Sequence, residues 1–201
     1  MKSKILLHTC CGPCLSQSLL ALLKKVEYKK SYFENIDFEI FVFFDNPNIY
    51  SIEEYLKRKK EVEKIINIFY KEYKENIDLL ETDYKQRKSI WERETCYFKN
   101  DPERGKRCQI CYKLRIEETF KIAKKLNFEK VATTLTLSPL KDTLIINQIG
   151  KELEEKYRLS YLITDFKKDN GVKNSIDFCK KYGIYRQNFC GCEYSIRTDT
   201  Q

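Results

Sequence analysis

At 201 residues the chain is long enough for one domain with a buried core, and 42% hydrophobic with 13% aromatic residues excludes a disordered chain. It has no run of eighteen apolar residues and no long apolar N-terminal stretch with a small-residue cleavage site, so neither a membrane span nor a signal peptide is read, and a cytoplasmic location is expected. The net charge of +8 suits an acidic partner such as RNA, although a chain this rich in lysine carries charge by composition alone. Nine cysteines without a secretory signal point to metal or redox chemistry rather than structural disulfides.

Residues 3–8 read as a buried strand and 13–25 as a helix, with Pro13 at its first position, where a missing N–H costs nothing. Glu27 to Asn35 is a charged and aromatic connector. Phe38–Phe44 is a continuous apolar run, as in a strand covered on both faces. Asp45-Asn46-Pro47-Asn48 ends it with turn chemistry. Ser51 and Glu54 form a capping-box pattern that opens a helix to about Tyr73. A short strand is expected at Ile77–Leu80 and a helix at Tyr84–Glu94. Residues 96–107 read as a loop leading to a helix over Cys108–Leu126. A strand at Lys130–Leu135, a helix at Asp142–Lys156, a last strand at Tyr161–Ile163 and a short helix at Ser175–Tyr182 follow. Residues 185–201 form a C-terminal tail. The alternation predicts a single α/β domain spanning 1–201, with a Rossmann-like, mostly parallel sheet and helices on both faces. The loops 9–14, 45–50, 81–84 and 136–141 then gather at the carboxyl edge of the sheet, where a metal site is expected.

Cys10, Cys11 and Cys14 stand where the first strand stops and a helix begins. Free N–H groups and the helix dipole favour thiolate there. Cys108 and Cys111 form a CxxC at another loop-to-helix junction. With Cys10 and Cys11 they make a four-thiolate set that suits zinc or an iron–sulfur cluster, and unligated thiols remain an alternative. Cys190-Gly191-Cys192 could form a strained, readily reduced disulfide and so a two-electron relay, or supply ligands or buried thiols. Cys96 and Cys179, which belong to no pair, read as packing residues. Cys11-Gly12-Pro13-Cys14 spells a thioredoxin-type CGPC, but Cys10 precedes it and the further pairs have no place in that fold. His8 reads either as a proton donor or substrate contact or as a satisfied strand-end histidine. The polar stretch Thr133–Ser138, with Lys141 nearby, could hold a phosphate or a base, or serve as loop and cap. Trp91 could stack a base, although packing is the commoner use, and Lys57-Arg58-Lys59-Lys60 reads as a solvated helix face.

Several motifs occur in order: His8-Thr9-Cys10-Cys11-Gly12-Pro13-Cys14, Asn46-Pro47-Asn48-Ile49, Arg107-Cys108-Gln109-Ile110-Cys111, Thr133-Thr134-Leu135 with Ser138-Pro139, and the stretch from Tyr185 to Ser195. Together they resemble the cobalamin-independent epoxyqueuosine reductases, over about residues 4–196. That resemblance implies reduction of epoxyqueuosine to queuosine in tRNA, the last step of queuosine synthesis, with a 4Fe–4S cluster and an additional iron. By match, Cys10, Cys11, Cys108 and Cys111 would hold the cluster and Cys190 with Cys192 would be the redox-active pair. Cys14 is placed near the second iron. His8, Asn46, Asn48, Ser138 and Arg186 are the candidates for substrate contact. The implied partners are tRNA carrying epoxyqueuosine and an unidentified electron donor. Asp45 departs from the family pattern, where an aromatic is common, and residues 27–36 look like extra length. The rival classes are a thiol–disulfide oxidoreductase acting through CGPC and a zinc-stabilised RNA-binding module.

Overall fold

The computed structural model describes residues 2–26 and 35–196. The apolar runs become the inner strands of one sheet. β1 (Ser3–His8) lies between β2 (Phe38–Phe44) and β4 (Lys130–Thr133); β3 (Asp78–Glu81) and β5 (Ser160–Tyr161) form the edges, in the order β3-β2-β1-β4-β5. Every pairing is parallel, and the register sets His8 beside both Phe43 and Thr133. Ile5, Leu6, Leu7, Val42, Val131 and Ala132 are fully buried, as a sheet covered on both faces requires.

The helices are α1 (Gly12–Leu22), α2 (Ile52–Ile68), α3 (Tyr84–Thr95), α4 (Lys106–Lys125), α5 (Thr143–Tyr157) and α6 (Gly171–Tyr182). α1 packs on α2 and α6, while α4 packs on α3 and α5, giving one helical layer on each face. The chain runs outward from β1 through β2 to β3, then crosses back to lay β4 on the other side of β1. Such a reversal opens a crevice beyond the carboxyl ends of the two central strands. His8-Thr9-Cys10 and Thr133-Thr134 end at that crevice.

Several boundaries differ from those read in the sequence. Pro13 is the second residue of α1, because Cys11 in extended conformation is the N-cap. Residues 96–107 are not loop throughout: Cys96–Phe98 continues α3 as a 3-10 turn, and α4 begins at Lys106, before the CxxC. β4 stops at Thr133, where Thr134–Leu137 tightens into a 3-10 turn. At Ser51 half of the capping box forms. Its hydroxyl accepts the Glu54 N–H at 3.2 Å, while the Glu54 carboxylate turns to Arg58 at 2.6 Å. Most of the connector at Glu27–Asn35, and of the extra length at 27–36, lies outside the described residues, as do residues 197–201 of the tail.

α6 starts at Gly171, four residues before the expected Ser175, because the chain folds tightly against residue 166. A Cβ on Gly171 would sit 1.8 Å from the Phe166 carbonyl oxygen. Backbone cannot swing aside as a side chain can, so Gly171→Ala is expected to cost about 1–3 kcal/mol through overpacking. Thermal unfolding checks this, with Tm expected to fall by several degrees; an unchanged Tm would show that the 166–171 turn relaxes freely.

Candidate active site

Cys10, Cys11 and Cys14 come together because one turn of α1 separates the N-cap from Cys14. Their sulfurs all lie within 4.8 Å of one another, and those of Cys10 and Cys11 are 3.5 Å apart. All three side chains are buried. The backbone around them is tied to the sheet: the Thr9 N–H donates to Phe43 at 2.8 Å and the Asn46 amide donates to the Thr9 carbonyl at 2.9 Å. Of the three thiols, Cys10 is the one held toward thiolate. Thiol hydrogen bonds from Cys11 and Cys14 hold Cys10 well below the usual thiol range, and the charges of Lys141 and Arg115 add to this against burial. Cys11, which donates to Cys10, is pushed up to about 12, and Cys14 is pushed up for the same reason.

Two buried cations face these sulfurs. Arg115 on α4 is 1% exposed; it donates to Asn46 Oδ1 at 2.5 Å and stands 4.0 Å from Cys111 Sγ. Its Nε has no hydrogen-bond partner among the described residues. Lys141, in the turn after β4, is buried as well. No carboxylate pairs with either cation among the described residues. Burial disfavours their charge, but the nearby thiols more than offset it, Cys111 and Cys10 for Arg115 and Cys190 and Cys10 for Lys141. Buried charge without an opposite charge is costly, so this arrangement suits an anionic thiolate centre.

Cys108 and Cys111 lie one turn apart on α4, outside the close trio. Arg104, at φ 72°, turns its backbone N–H to Cys108 Sγ at 3.3 Å. Cys111 packs with Trp91 and Cys192. The tail is therefore folded back over α4. Its anchor is Arg58, which donates to the carbonyls of Cys190 at 2.9 Å and Phe189 at 3.3 Å and stacks over the Phe189 ring. The Tyr50 N–H donates to the Gly191 carbonyl at 2.7 Å. Gly191 has φ 136°, and a Cβ there would meet the Asn48 amide at 3.0 Å, so the position needs glycine twice over. The Ser195 hydroxyl donates to the Cys192 carbonyl at 2.8 Å and accepts the Gly191 N–H. On the α4 side the Arg107 guanidinium stacks over Tyr194 and donates to three carbonyls of the 98–101 turn.

These contacts bear on three readings. The basic run 57–60 is solvated at Lys57 and Lys60 as expected, but Arg58 within it is 1% exposed. Trp91 is buried against the thiols, the packing use expected as the commoner one, and presents no base-stacking face. Cys96 is exposed, whereas Cys179 is the packing residue expected.

A pocket of about 250 Å³ opens between the 137–141 turn and the tail, with Cys10, Cys14, Ser138, Lys141, Arg186 and Cys190 among its walls. Ser138 and Arg186 thus stand where substrate contacts were expected. His8, Asn46 and Asn48 do not line it. His8 is fully buried; its Nε2–H donates to the Asp45 carbonyl at 3.1 Å, and Nδ1 accepts the Thr133 hydroxyl at 2.8 Å. Burial, with the charge of Arg115, pushes its pKa down to about 3, so the imidazole is neutral and committed to the frame. Asn46 bridges Thr9 and Arg115. Arg115 and Arg58 were invisible to motif reading, because a single arginine on a charged helix looks like surface.

A reactive CGPC of the thioredoxin type does not fit. Cys11 and Cys14 are both buried and both shifted toward the thiol, the reverse of an attacking sulfur. A doubly wound sheet with thiols gathered against buried cations at its switch point defines an α/β protein of thiolate-centred redox or metal chemistry. Residues 5–198 match the model of the epoxyqueuosine reductase QueH family, and the chain belongs to that family of oxidoreductases. It is 34% identical to epoxyqueuosine reductase QueH of Staphylococcus epidermidis over 96% of this chain and 76% of that protein. The QueH protein of Streptococcus pyogenes is 33% identical over 98% and 72%. That of Thermotoga maritima is 34% identical over 96% and 90%. Among solved structures, the U34-tRNA thiolase NcsA from Methanococcus maripaludis, described with its 4Fe–4S cluster, shares the fold with a TM-score of 0.53 at 12% identity, over 98% of this chain and 62% of that one. No helix among the described residues is long and apolar enough to cross a membrane.

Proposed function

We propose that the chain reduces epoxyqueuosine to queuosine within tRNA, in the cytoplasm, using thiolates at the sheet switch point. The observation that carries this is the pocket at which Cys190 of the tail meets Cys10 and Cys14, backed by buried cations without carboxylate partners. A 4Fe–4S cluster fits that donor set, since its net negative charge would answer the buried Arg115. Cys10, Cys11, Cys108 and Cys111 would hold it, and Cys14, one helical turn on, would hold an additional iron. The cluster and iron would relay electrons singly. The residues themselves do the rest. Cys190 and Cys192 store two electrons as a dithiol and release them, with two protons, on forming a disulfide. An external reductant then restores the dithiol. Arg58 holds the tail at Phe189 and Cys190, on the pocket wall, and Arg107 holds it at Tyr194. The modified base must be turned out to reach sulfurs this deep, and the positive balance of +8 favours the phosphate backbone around it.

The test is anaerobic turnover of tRNA bearing epoxyqueuosine, read as queuosine by mass spectrometry of digested nucleosides, with iron and sulfide assayed on the same preparation. Queuosine should form, about four irons and four sulfides should be bound with any second iron in addition, and apparent tRNA affinity should fall from low to moderate salt. A colourless, zinc-loaded and fully active protein would remove the cluster, and equal turnover of the free nucleoside would remove tRNA as the required partner.

A further inference from the structure

Among the described residues the Lys141 ammonium makes no hydrogen bond and no ion pair, although the residue is only 7% exposed and lines the pocket. Two other cations near the thiols are engaged: Arg115 holds Asn46 and Arg58 holds the tail carbonyls. Arg186, also on the pocket wall, is exposed and so stays hydrated, unlike Lys141. The backbone that carries Lys141 is fixed from both sides. Its N–H closes a turn on the Ser138 carbonyl at 3.2 Å. From outside, Arg104 donates to the carbonyls of Pro139 and Leu140 at 3.0 and 3.1 Å. The next residue, Asp142, is committed to capping α5 through the N–H groups of Leu144 and Ile145, so its carboxylate does not neutralise the lysine. What remains is a rigidly based cation, with all its donor hydrogens free, beside Cys10, Cys14 and Cys190.

We infer that Lys141 is a catalytic residue that binds the epoxide oxygen of the substrate and carries its negative charge as the carbon–oxygen bonds break. This rests on the reaction proposed above. In that reaction both C–O bonds of the epoxide break and a C=C bond forms. The Cys190/Cys192 dithiol loses two electrons and two protons and becomes a disulfide, and the oxygen takes the protons and leaves as water. Negative charge therefore builds on oxygen before the second proton arrives. A preorganised donor at that point lowers the barrier far more than one in water. The alkene product has no such oxygen, so the same contact distinguishes substrate from product and loosens its hold once the reaction is done.

The experiment uses the full chain, purified and loaded anaerobically, with Lys141→Met and Lys141→Arg. The readouts are iron content, Tm, affinity for tRNA bearing epoxyqueuosine and for tRNA bearing queuosine, and the single-turnover rate. Lys141→Met should keep its iron and Tm and its affinity for queuosine tRNA. It should lose its preference for the epoxide form, and its single-turnover rate should fall roughly 10²–10³-fold, as when one oxyanion donor is removed. Lys141→Arg, which keeps the charge, should recover part of the rate. Loss of iron in Lys141→Met would overturn the inference and leave Lys141 as a counter-charge to the thiolates. An equal loss of affinity for both tRNAs would overturn it in favour of a base or phosphate contact, and an unchanged rate would overturn it outright. A wild type that makes no queuosine would sink the reaction itself, a failure distinct from any result on Lys141.

Discussion

Cys190→Ser and Cys192→Ser are each expected to reduce multiple turnover to background while leaving bound iron and the visible spectrum intact. The two thiols are free, with Cys190 at the pocket wall and Cys192 packed on Cys111 and Trp91. Gly191, at φ 136°, is the joint between them, and the Arg58 guanidinium holds the Cys190 carbonyl through any change of sulfur position. A relay needs both sulfurs, so the double mutant should be no worse than either single, as for other groups that act as one unit. Mass spectrometry of oxidised protein should find the bond within the Phe189–Tyr194 peptide. Iron lost from either single mutant would make the residue a ligand instead, and full multiple turnover in the double mutant would place the electron store elsewhere.

The second large effect lies behind the site, at Asp45. Its carboxylate is fully buried and accepts from Arg87 Nε at 2.9 Å, from Arg87 Nη2 at 2.8 Å and from the Thr82 hydroxyl at 2.7 Å. Arg87 also pairs with Glu118 at 3.1 Å and donates to the Leu114 carbonyl. This network ties the loop after β2 to α3 and α4, the helices beneath Trp91 and Cys111. Asp45→Ala should destabilise the protein by roughly 3 kcal/mol, the low end for breaking a buried pair, because Arg87 keeps Glu118. For a chain of this size that is a fall of roughly 6–12 °C in Tm. Arg87→Met should cost at least as much, since it leaves Asp45 with Thr82 alone. The double mutant should be clearly less destabilised than the sum of the singles. Additive losses would mean that the two side chains do not stabilise each other.

Much of this was legible in the sequence. The run Phe38–Phe44 announces a strand covered on both faces, and the thiol motifs at strand ends announce a site at the carboxyl edge of a parallel sheet. Where elements pack was harder to read. Arg58 sits in Lys57-Arg58-Lys59-Lys60, and nothing local shows that residues 189–190 return to bury it. Gly171 opens α6 behind Asn170, whose side chain makes no capping hydrogen bond; close contact with residue 166 sets that start. Spacing also could not tell which thiols would stand closest. Cys14 joins Cys10 and Cys11 because the first turn of α1 brings it back over the N-cap, whereas Cys111 packs against the tail. His8 reads equally well as a chemical group or as a satisfied strand-end histidine. Its neutrality follows from full burial and the charge of Arg115, which only the packed fold supplies.

The Arg58 contact to the Cys190 carbonyl spans 132 residues. The thiols at α1 and α4 all precede residue 112, whereas the segment packed over them ends at residue 196, so the centre is closed from the far end of the chain. α6 also packs on α1, and the Ser175 hydroxyl donates to the Pro13 carbonyl, so the residues that follow β5 complete the surroundings of the first cysteines. A domain that folds as a unit therefore closes over its sulfurs only when its final segment is in place.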